Sequence, residues 1–299
     1  MQCPKCGFEQ NDQNSQCANC GIFFDKYYAH QSNAINHKKL KSRIKKASQV
    51  HNVEPEGLKY LGIGLSVGLL LAVWDGWFIQ MTMGILVTLI HELGHTAVAW
   101  LFGIPAIPAF DFMHGGGLTI NFEQEISIII ALYLLGAFLA FSYRQNTKTL
   151  IIISTIGLFH FIAITTDLSD ILVLFMGHGT ELVIATVFIY RGLTNTSIIH
   201  TIERPMYSAL GFYIVFHDIA FAWKLINDSG YRVEYEAQKG GYHFGDFSRI
   251  AEQYLHTDLS VVASFFLLIC LTIPVISFLT WRYQEAILSW AGERLAKQA

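Results

Sequence analysis

Charged residues are scarce in this chain of 299 residues: they make up 14% of it, whereas hydrophobic residues make up 53% and the mean hydropathy is +0.39. This composition excludes an ordinary soluble domain, in which about 25% of residues are charged. It favours an integral membrane protein. The net charge is only −3 and nothing resembles a nucleic-acid-binding surface, so we expect no nucleic-acid partner.

The apolar stretch of a signal peptide is missing from the first twenty residues, which are polar and rich in cysteine. We therefore expect the N-terminus to stay in the cytoplasm and the first spanning helix to serve as an uncleaved membrane signal. Cysteine is rare elsewhere in the chain. Cys270 is the fifth and last, and because it lies in an apolar segment we interpret it as a packing residue.

Two CxxC pairs separated by ten residues open the chain: Cys3, Cys6, Cys17 and Cys20. Four thiolates at this spacing are typical of a tetrahedral zinc site. Gly7 and Gly21 follow the two pairs, where the chain must turn tightly. The pattern over residues 1–28 resembles a zinc ribbon, with a structural or partner-binding zinc ion, because so small a module has too little core to fold without metal. Two disulfides are the alternative, which a reducing cytoplasm disfavours.

Residues 29–57 are predicted to form a basic linker in front of the membrane domain. Its positive charges are clustered at Lys38, Lys39, Lys41, Arg43, Lys45 and Lys46. Such clusters are typical of cytoplasmic segments that contact anionic lipid headgroups, so the bilayer is an expected partner. A transmembrane domain is predicted over 58–283 and a C-terminal tail over 284–299.

Seven apolar runs follow the linker, and most are long enough to cross about 30 Å of hydrocarbon. They lie at about 58–80, 82–102, 126–143, 149–166, 169–190, 207–226 and 259–281. We therefore predict an all-α, multi-pass membrane protein with six or seven transmembrane helices. Its orientation stays open, because strict alternation from a cytoplasmic N-terminus leaves several basic residues outside.

Two other stretches do not fit a spanning helix. Residues 103–119 contain two prolines and three consecutive glycines, so we expect a turn and short extended pieces, such as a hairpin that dips into the membrane. An ordinary glycine-rich loop is the alternative. An open strand edge there could pair with an extended substrate. Residues 227–257 are polar and long for a connection, which makes them a candidate cap or lid over the site.

An HExxH motif, His91-Glu92-Leu93-Gly94-His95, lies inside the second apolar run. On a helix the two histidines share one face and can bind one metal ion, and Glu92 lies where a general base for water is needed. Such groups are costly in lipid, which points to a function. A hydrogen-bonded pair of interior histidines with a buried glutamate is the alternative.

With this motif the chain resembles the site-2-type intramembrane metalloproteases, the M50 group. The resemblance covers roughly residues 82–190 and also includes Leu101-Phe102-Gly103-Ile104-Pro105 and the glycine-rich stretch 112–117. It implies that His91 and His95 bind a catalytic zinc ion in the membrane and that Glu92 activates water for peptide hydrolysis. The substrate would be a membrane-embedded or juxtamembrane polypeptide.

The third ligand of that metal is not identified, because the LDG-type motif of the M50 group has no counterpart here. His178 and Glu181 are three residues apart on one helix face, and either could complete the site while the other orients a ligand. Asp167 and Asp170 are alternatives nearer to the end of an apolar run. Weaker candidates on other runs are His160, His217 and Asp218.

Two further functions are compatible with these residues. Without the LDG-type motif, the chain could be a protease-like scaffold or chaperone that performs no catalysis and binds membrane clients. An ion transporter would instead line its path with His178, Glu181, His217 and Asp218. The HExxH motif favours a zinc-dependent endopeptidase over both.

Overall fold

The computed structural model describes residues 1–11, 14–28, 56–74, 76–111, 116–195, 198–237, 245–284 and 286–287. The chain divides into two compact units, one of Met1–Asn52 with Tyr283–Ala299 and the other of Val53–Arg282. The basic cluster of the linker and most of the predicted C-terminal tail lie outside the described residues, as do residues 112–115 of the glycine-rich stretch.

The small unit contains two similar loops, one after each CxxC pair. Gly7 and Gly21 adopt φ values of +74° and +71°, which glycine tolerates because it lacks a Cβ. Their backbone N–H groups donate to the carbonyl oxygens of Cys3 and Cys17, both at 2.9 Å. Phe24 packs against these two cysteines in a very small core. The tight turns predicted after each pair are therefore confirmed.

The larger unit consists mainly of apolar helices. In chain order they are α1 (Glu56–Val73), α2 (Trp77–Leu101), α3 (Ile126–Ser142), α4 (Thr147–Ile164), α5 (Leu168–Leu193), α6 (Glu203–Asn227), α7 (Ser229–Ala237), α8 (Asp246–Arg249) and α9 (Leu259–Arg282). A π-helical turn, Ile250–Leu255, connects α8 to α9. Two strands, β1 (Ala106–Asp111) and β2 (Gly116–Asn121), lie between α2 and α3.

Within the described residues, six helices are long and apolar enough to cross a membrane: α1, α2, α4, α5, α6 and α9. Helix α3 is also apolar but is shorter, at 17 residues. The predicted mainly helical fold and the number of long apolar helices are confirmed. The all-α description has to be extended by one two-stranded hairpin.

The predicted boundary between the first two apolar runs is wrong. It was placed at residues 80–82, whereas α1 ends at Val73 and α2 begins at Trp77. Gly76 precedes α2 in an extended conformation, with φ −75° and ψ 119°. Hydropathy alone does not locate this break, because apolar residues lie on both sides of it.

Small residues let the helices of the larger unit pack closely. Gly64 and Gly68 of α1 lie against Ser208 and Phe212 of α6 with no room for a side chain, an arrangement typical of helices in lipid. Helix α6 also packs against α5 and α9, and α5 packs against α2. Helices α5 and α6 therefore form the centre of this unit.

A buried arginine holds three of these helices together. The guanidinium of Arg204, on α6, donates to the carbonyl oxygens of Gly192 and Leu193 at the end of α5, at 3.3 and 3.1 Å. It also lies 4.6 Å from the ring centre of Tyr60 on α1. The last carbonyls of α5 have no partner within their own helix, so Arg204 satisfies them.

The hairpin lies against α2, the helix with the HExxH motif. Its strands pair antiparallel, with Ala106 opposite Asn121 and Asp111 opposite Gly116. Gly103, with φ +75°, allows the turn out of α2, and the indole N–H of Trp100 donates to the carbonyl of Ala106 at 2.9 Å. The predicted hairpin is therefore confirmed in place of the ordinary loop.

Candidate metal centre

The two histidines of the motif face the same space between α2 and α5. The Nε2 atoms of His91 and His95 are 2.9 Å apart. A side chain at Gly177 of α5 would place its Cβ 2.5 Å from the Nε2 of His95 and 2.6 Å from that of His91. Gly177 is therefore needed to make room for both rings.

A second glycine, Gly94, also allows this approach. Gly94 of α2 lies directly against Met176 and Thr180 of α5. Gly179 instead faces Met176 and Phe175 of its own helix. Gly94 therefore packs closely against another helix, whereas Gly179 takes no such part.

Asp246 completes a group of three metal donors, and the sequence did not single it out. Its Oδ2 atom lies 3.1 Å from the Nε2 of His91 and 3.3 Å from the Nε2 of His95. It follows His91 by 155 residues, in the polar stretch expected to be a cap. No sequence motif identifies Asp246 as a metal ligand. The one signal that could have suggested it is its position as an acidic residue next to Gly245 in that candidate cap.

The outer nitrogens of both histidines are already held by the protein. The Nδ1 of His91 lies 2.7 Å from Oε1 of Glu181, and the Nδ1 of His95 lies 2.6 Å from the carbonyl oxygen of Val173. Histidines that bind metals usually donate this second N–H to a carboxylate or a carbonyl, which fixes the tautomer and the ring orientation. Both Nε2 atoms are thereby left to face the metal position.

The separations between these donors fit a metal ion. For tetrahedral bonds of 2.0–2.1 Å, ligand atoms are about 3.3 Å apart. The three separations between His91, His95 and Asp246 are 2.9, 3.1 and 3.3 Å. Two imidazoles and one carboxylate also form the donor set of many catalytic sites, which leave a fourth position open. His91 and Asp246 line a cavity of about 860 Å³ onto which such a position could open.

Glu92 lines the same cavity and is held by β2. The hydroxyl of Thr119 donates to Oε2 of Glu92 at 2.6 Å. A Cβ at Gly117 would lie 2.5 Å from Cγ and 2.7 Å from Oε1 of Glu92, so the strand can approach the carboxylate only because residue 117 is glycine. Glu92 is 5% exposed, and the hairpin thereby restricts it to one orientation.

The segment that carries Asp246 is anchored by its neighbour. Phe247 is fully buried and packs edge-on against Phe266 of α9, with ring centres 5.1 Å apart. Its backbone N–H donates to the hydroxyl of Tyr235 on α7 at 3.3 Å. Burial and the nearby Asp246 carboxylate raise the pKa of Tyr235, so its hydroxyl stays neutral. Tyr235 and Asp246 both line the cavity, as expected of a cap.

His178 and Glu181 form another donor group with His91, in which one atom from each residue lies within 4.8 Å of the others. Oε1 of Glu181 contacts the Nδ1 of His91, whereas Oδ2 of Asp246 contacts its Nε2. Of the two groups that share His91, only the one with Asp246 contains both histidines of the motif. Asp246 is therefore a further candidate for the third ligand, and the prediction that His178 or Glu181 completes the site stays a prediction.

The remaining predicted residues lie apart from this donor group. His160 contacts the Tyr133 hydroxyl and the Leu101 carbonyl oxygen, at 3.1 and 2.8 Å, and so bridges helices as a packing residue does. Asp167 precedes α5 and Asp170 lies in its first turn. Neither belongs to a donor group within the described part of the chain.

The cysteines of the small unit also meet as predicted, and they could hold a metal ion. The Sγ atoms of Cys3 and Cys20 are 3.7 Å apart, as are those of Cys6 and Cys17. Tetrahedral zinc with bonds of 2.3 Å separates its sulfur ligands by about 3.8 Å, whereas a disulfide needs about 2.05 Å. The backbone N–H of Cys20 donates to Cys17 and lowers the pKa of that thiol to about 6.

Replacing Cys3 and Cys6 by serine is expected to remove one bound metal ion per chain, because half of the thiolates are lost. The matched control is Cys270→Ala, which removes a buried cysteine of the other unit. Elemental analysis of the purified full chain measures both. Because protons compete with the metal ion for the thiolates, the unsubstituted chain should also release this ion in acid, at a pH below the pKa of about 6 of the metal-free Cys17 thiol. Equal metal content in the double variant and the control would disprove the cysteine site.

No protein-family model, curated protein or solved structure matches this chain. The choice of a function therefore depends on the geometry of the site. That geometry combines two histidines and a carboxylate around one position with a second carboxylate and a β-strand beside the same cavity.

Proposed function

We propose that this chain is a membrane-embedded, zinc-dependent endopeptidase of the site-2 type. The observation that carries the proposal is the meeting of His91, His95 and Asp246, together with a cavity that His91, Asp246 and Glu92 line. Two imidazoles and one carboxylate with an open fourth position are typical of hydrolytic zinc sites. The cysteine group would hold a second, structural zinc ion, and its surface could bind a partner protein.

The proposal places the larger unit in a bilayer. Six helices have the length and composition of spans, and α3 and α4 expose large apolar side chains, among them Leu134, Phe138 and Ile156 at 63–66%. A soluble protein rarely exposes so much apolar surface. Lipid tails would cover these side chains, while the polar groups of the site face the interior of the bundle, as costly groups in membranes do.

Zinc bound by His91, His95 and Asp246 would supply a Lewis acid that polarises a peptide carbonyl and makes a water molecule more acidic. Glu92 takes the proton from that water as the water oxygen bonds to the carbonyl carbon. The same carboxyl then returns the proton to the leaving nitrogen as the C–N bond breaks. Thr119 holds Oε2 of Glu92, which leaves Oε1 for proton transfer.

The hairpin offers a way to hold an extended substrate. It has only two strands within the described residues, so each strand has one edge without a strand partner there. Gly116, Gly117 and Leu118 of β2 line the cavity beside Glu92. A polypeptide that unwinds from its helix could pair with this hairpin by strand addition, which satisfies its backbone groups at membrane depth.

Cleavage in proteoliposomes tests the proposed function. The purified full chain should cut a panel of single-pass model polypeptides, 1,10-phenanthroline should stop the reaction, and added zinc should restore it. A chain that binds these polypeptides without cutting any of them would favour the scaffold or chaperone instead. Ion flux through the same vesicles without cleavage would favour the transporter.

A further inference from the structure

A buried aspartate next to the candidate site has a carboxylate without a hydrogen-bond donor. Asp218 of α6 is completely buried, and neither of its carboxylate oxygens makes a hydrogen bond. A bare carboxylate in an apolar interior is very costly, so it is paired, protonated or bound to a cation. No hydrogen-bond donor of the described residues offsets the charge of an ionised Asp218, and a bound cation would offset it.

The groups around Asp218 are metal donors. Its Oδ1 atom is 3.9 Å from the Nδ1 of His178 and 3.5 Å from the Nδ1 of His217, which is also buried without a hydrogen bond. The Nδ1 of His178 is in turn 3.1 Å from Oε2 of Glu181. The Nδ1 of His178 therefore lies 3.1 Å from one carboxylate oxygen and 3.9 Å from another, compared with about 3.3 Å between the ligands of one tetrahedral ion.

The negative charges of this cluster also favour a bound cation. Glu181 is 1% exposed, and it acts on Asp218 as a second group of the same charge. In the described part of the chain, no lysine or arginine forms an ion pair with either carboxylate. One divalent ion would balance both charges.

We propose that His178, Glu181 and Asp218 bind a second divalent metal ion in the membrane unit. Mixed imidazole and carboxylate donors suit a first-row ion such as zinc. Glu181 serves both positions, because its Oε1 contacts His91 while its Oε2 faces His178. His178, Glu181 and His217 line the same cavity as His91 and Glu92, so the two ions would share one chamber.

Metal content tests this second site independently of any activity. The full chain is saturated with Zn²⁺, freed of excess by gel filtration and analysed for zinc per polypeptide. We expect three ions in the unsubstituted chain, two in Asp218→Asn, two in His95→Ala and one when both substitutions are combined. The matched control is Asp170→Asn on α5, which should keep three.

The outcomes separate this site from the HExxH site. Full zinc content in Asp218→Asn would overturn the second site and mean that Asp218 shares a proton with its neighbours instead. Full content in His95→Ala would count against the proposed catalytic site alone. Should Asp218→Asn fail to fold, two ions in the unsubstituted chain would still overturn the proposal, since the cysteines and the HExxH site account for both.

Discussion

Glu92→Gln is expected to reduce peptide-bond cleavage about 10²–10⁴-fold, the usual contribution of a general acid–base residue. The glutamine keeps the shape of the side chain, and its carbonyl oxygen can still accept the hydrogen bond from Thr119. An amide cannot take up the proton of the attacking water. The zinc content should stay unchanged, because Glu92 belongs to none of the metal-donor groups of the described residues.

The matched control for this variant is Glu123→Gln, which removes an exposed carboxylate just beyond β2. Both variants are assayed with the same model polypeptides in proteoliposomes, by gel analysis and mass spectrometry of the products. Cleavage by Glu92→Gln at the rate of the control would rule out Glu92 as the base. Loss of zinc from Glu92→Gln would show that the side chain acts through the metal site.

Asp246→Ala is expected to abolish cleavage and to lower the metal content by one ion per chain relative to the unsubstituted protein. The variant leaves only His91 and His95 at the position where the three donors meet. Catalytic zinc sites need three protein ligands, so two should not retain the ion. His95→Ala should lose the same ion, and a chain with both substitutions should lose no more than either variant alone.

In this experiment, loss of the metal ligand has to be distinguished from loss of the packing of the cap. Phe247, not Asp246, fills the core beneath α8, so the alanine variant should keep its fold and elute as the unsubstituted chain does. Full metal content in Asp246→Ala would return the third ligand to His178 or Glu181. Content lowered by two ions would show that Asp246 also supports the site around Asp218.

Hydropathy predicted most of the helices because a helix in lipid must be apolar over its whole length. It failed at the junction of α1 and α2, where Gly76 breaks the helix inside an apolar stretch. The hairpin was predictable because prolines and consecutive glycines are poorly compatible with a spanning helix. Its contact with Glu92 through Thr119 was not, since nothing in the local sequence relates β2 to that residue.

Local spacing along the chain was sufficient to predict the short-range parts of this protein. Metal-donor pairs within one turn or loop, His91 with His95 and Cys3 with Cys6, follow from spacing, because helix and turn geometry are the same wherever they occur. The distant groups that join these pairs could not be predicted in this way, because they depend on how the helices pack. Asp246 reaches His91 across 155 residues, and Asp218 reaches His178 from another helix, because the packing of α2, α5, α6 and the cap brings them together.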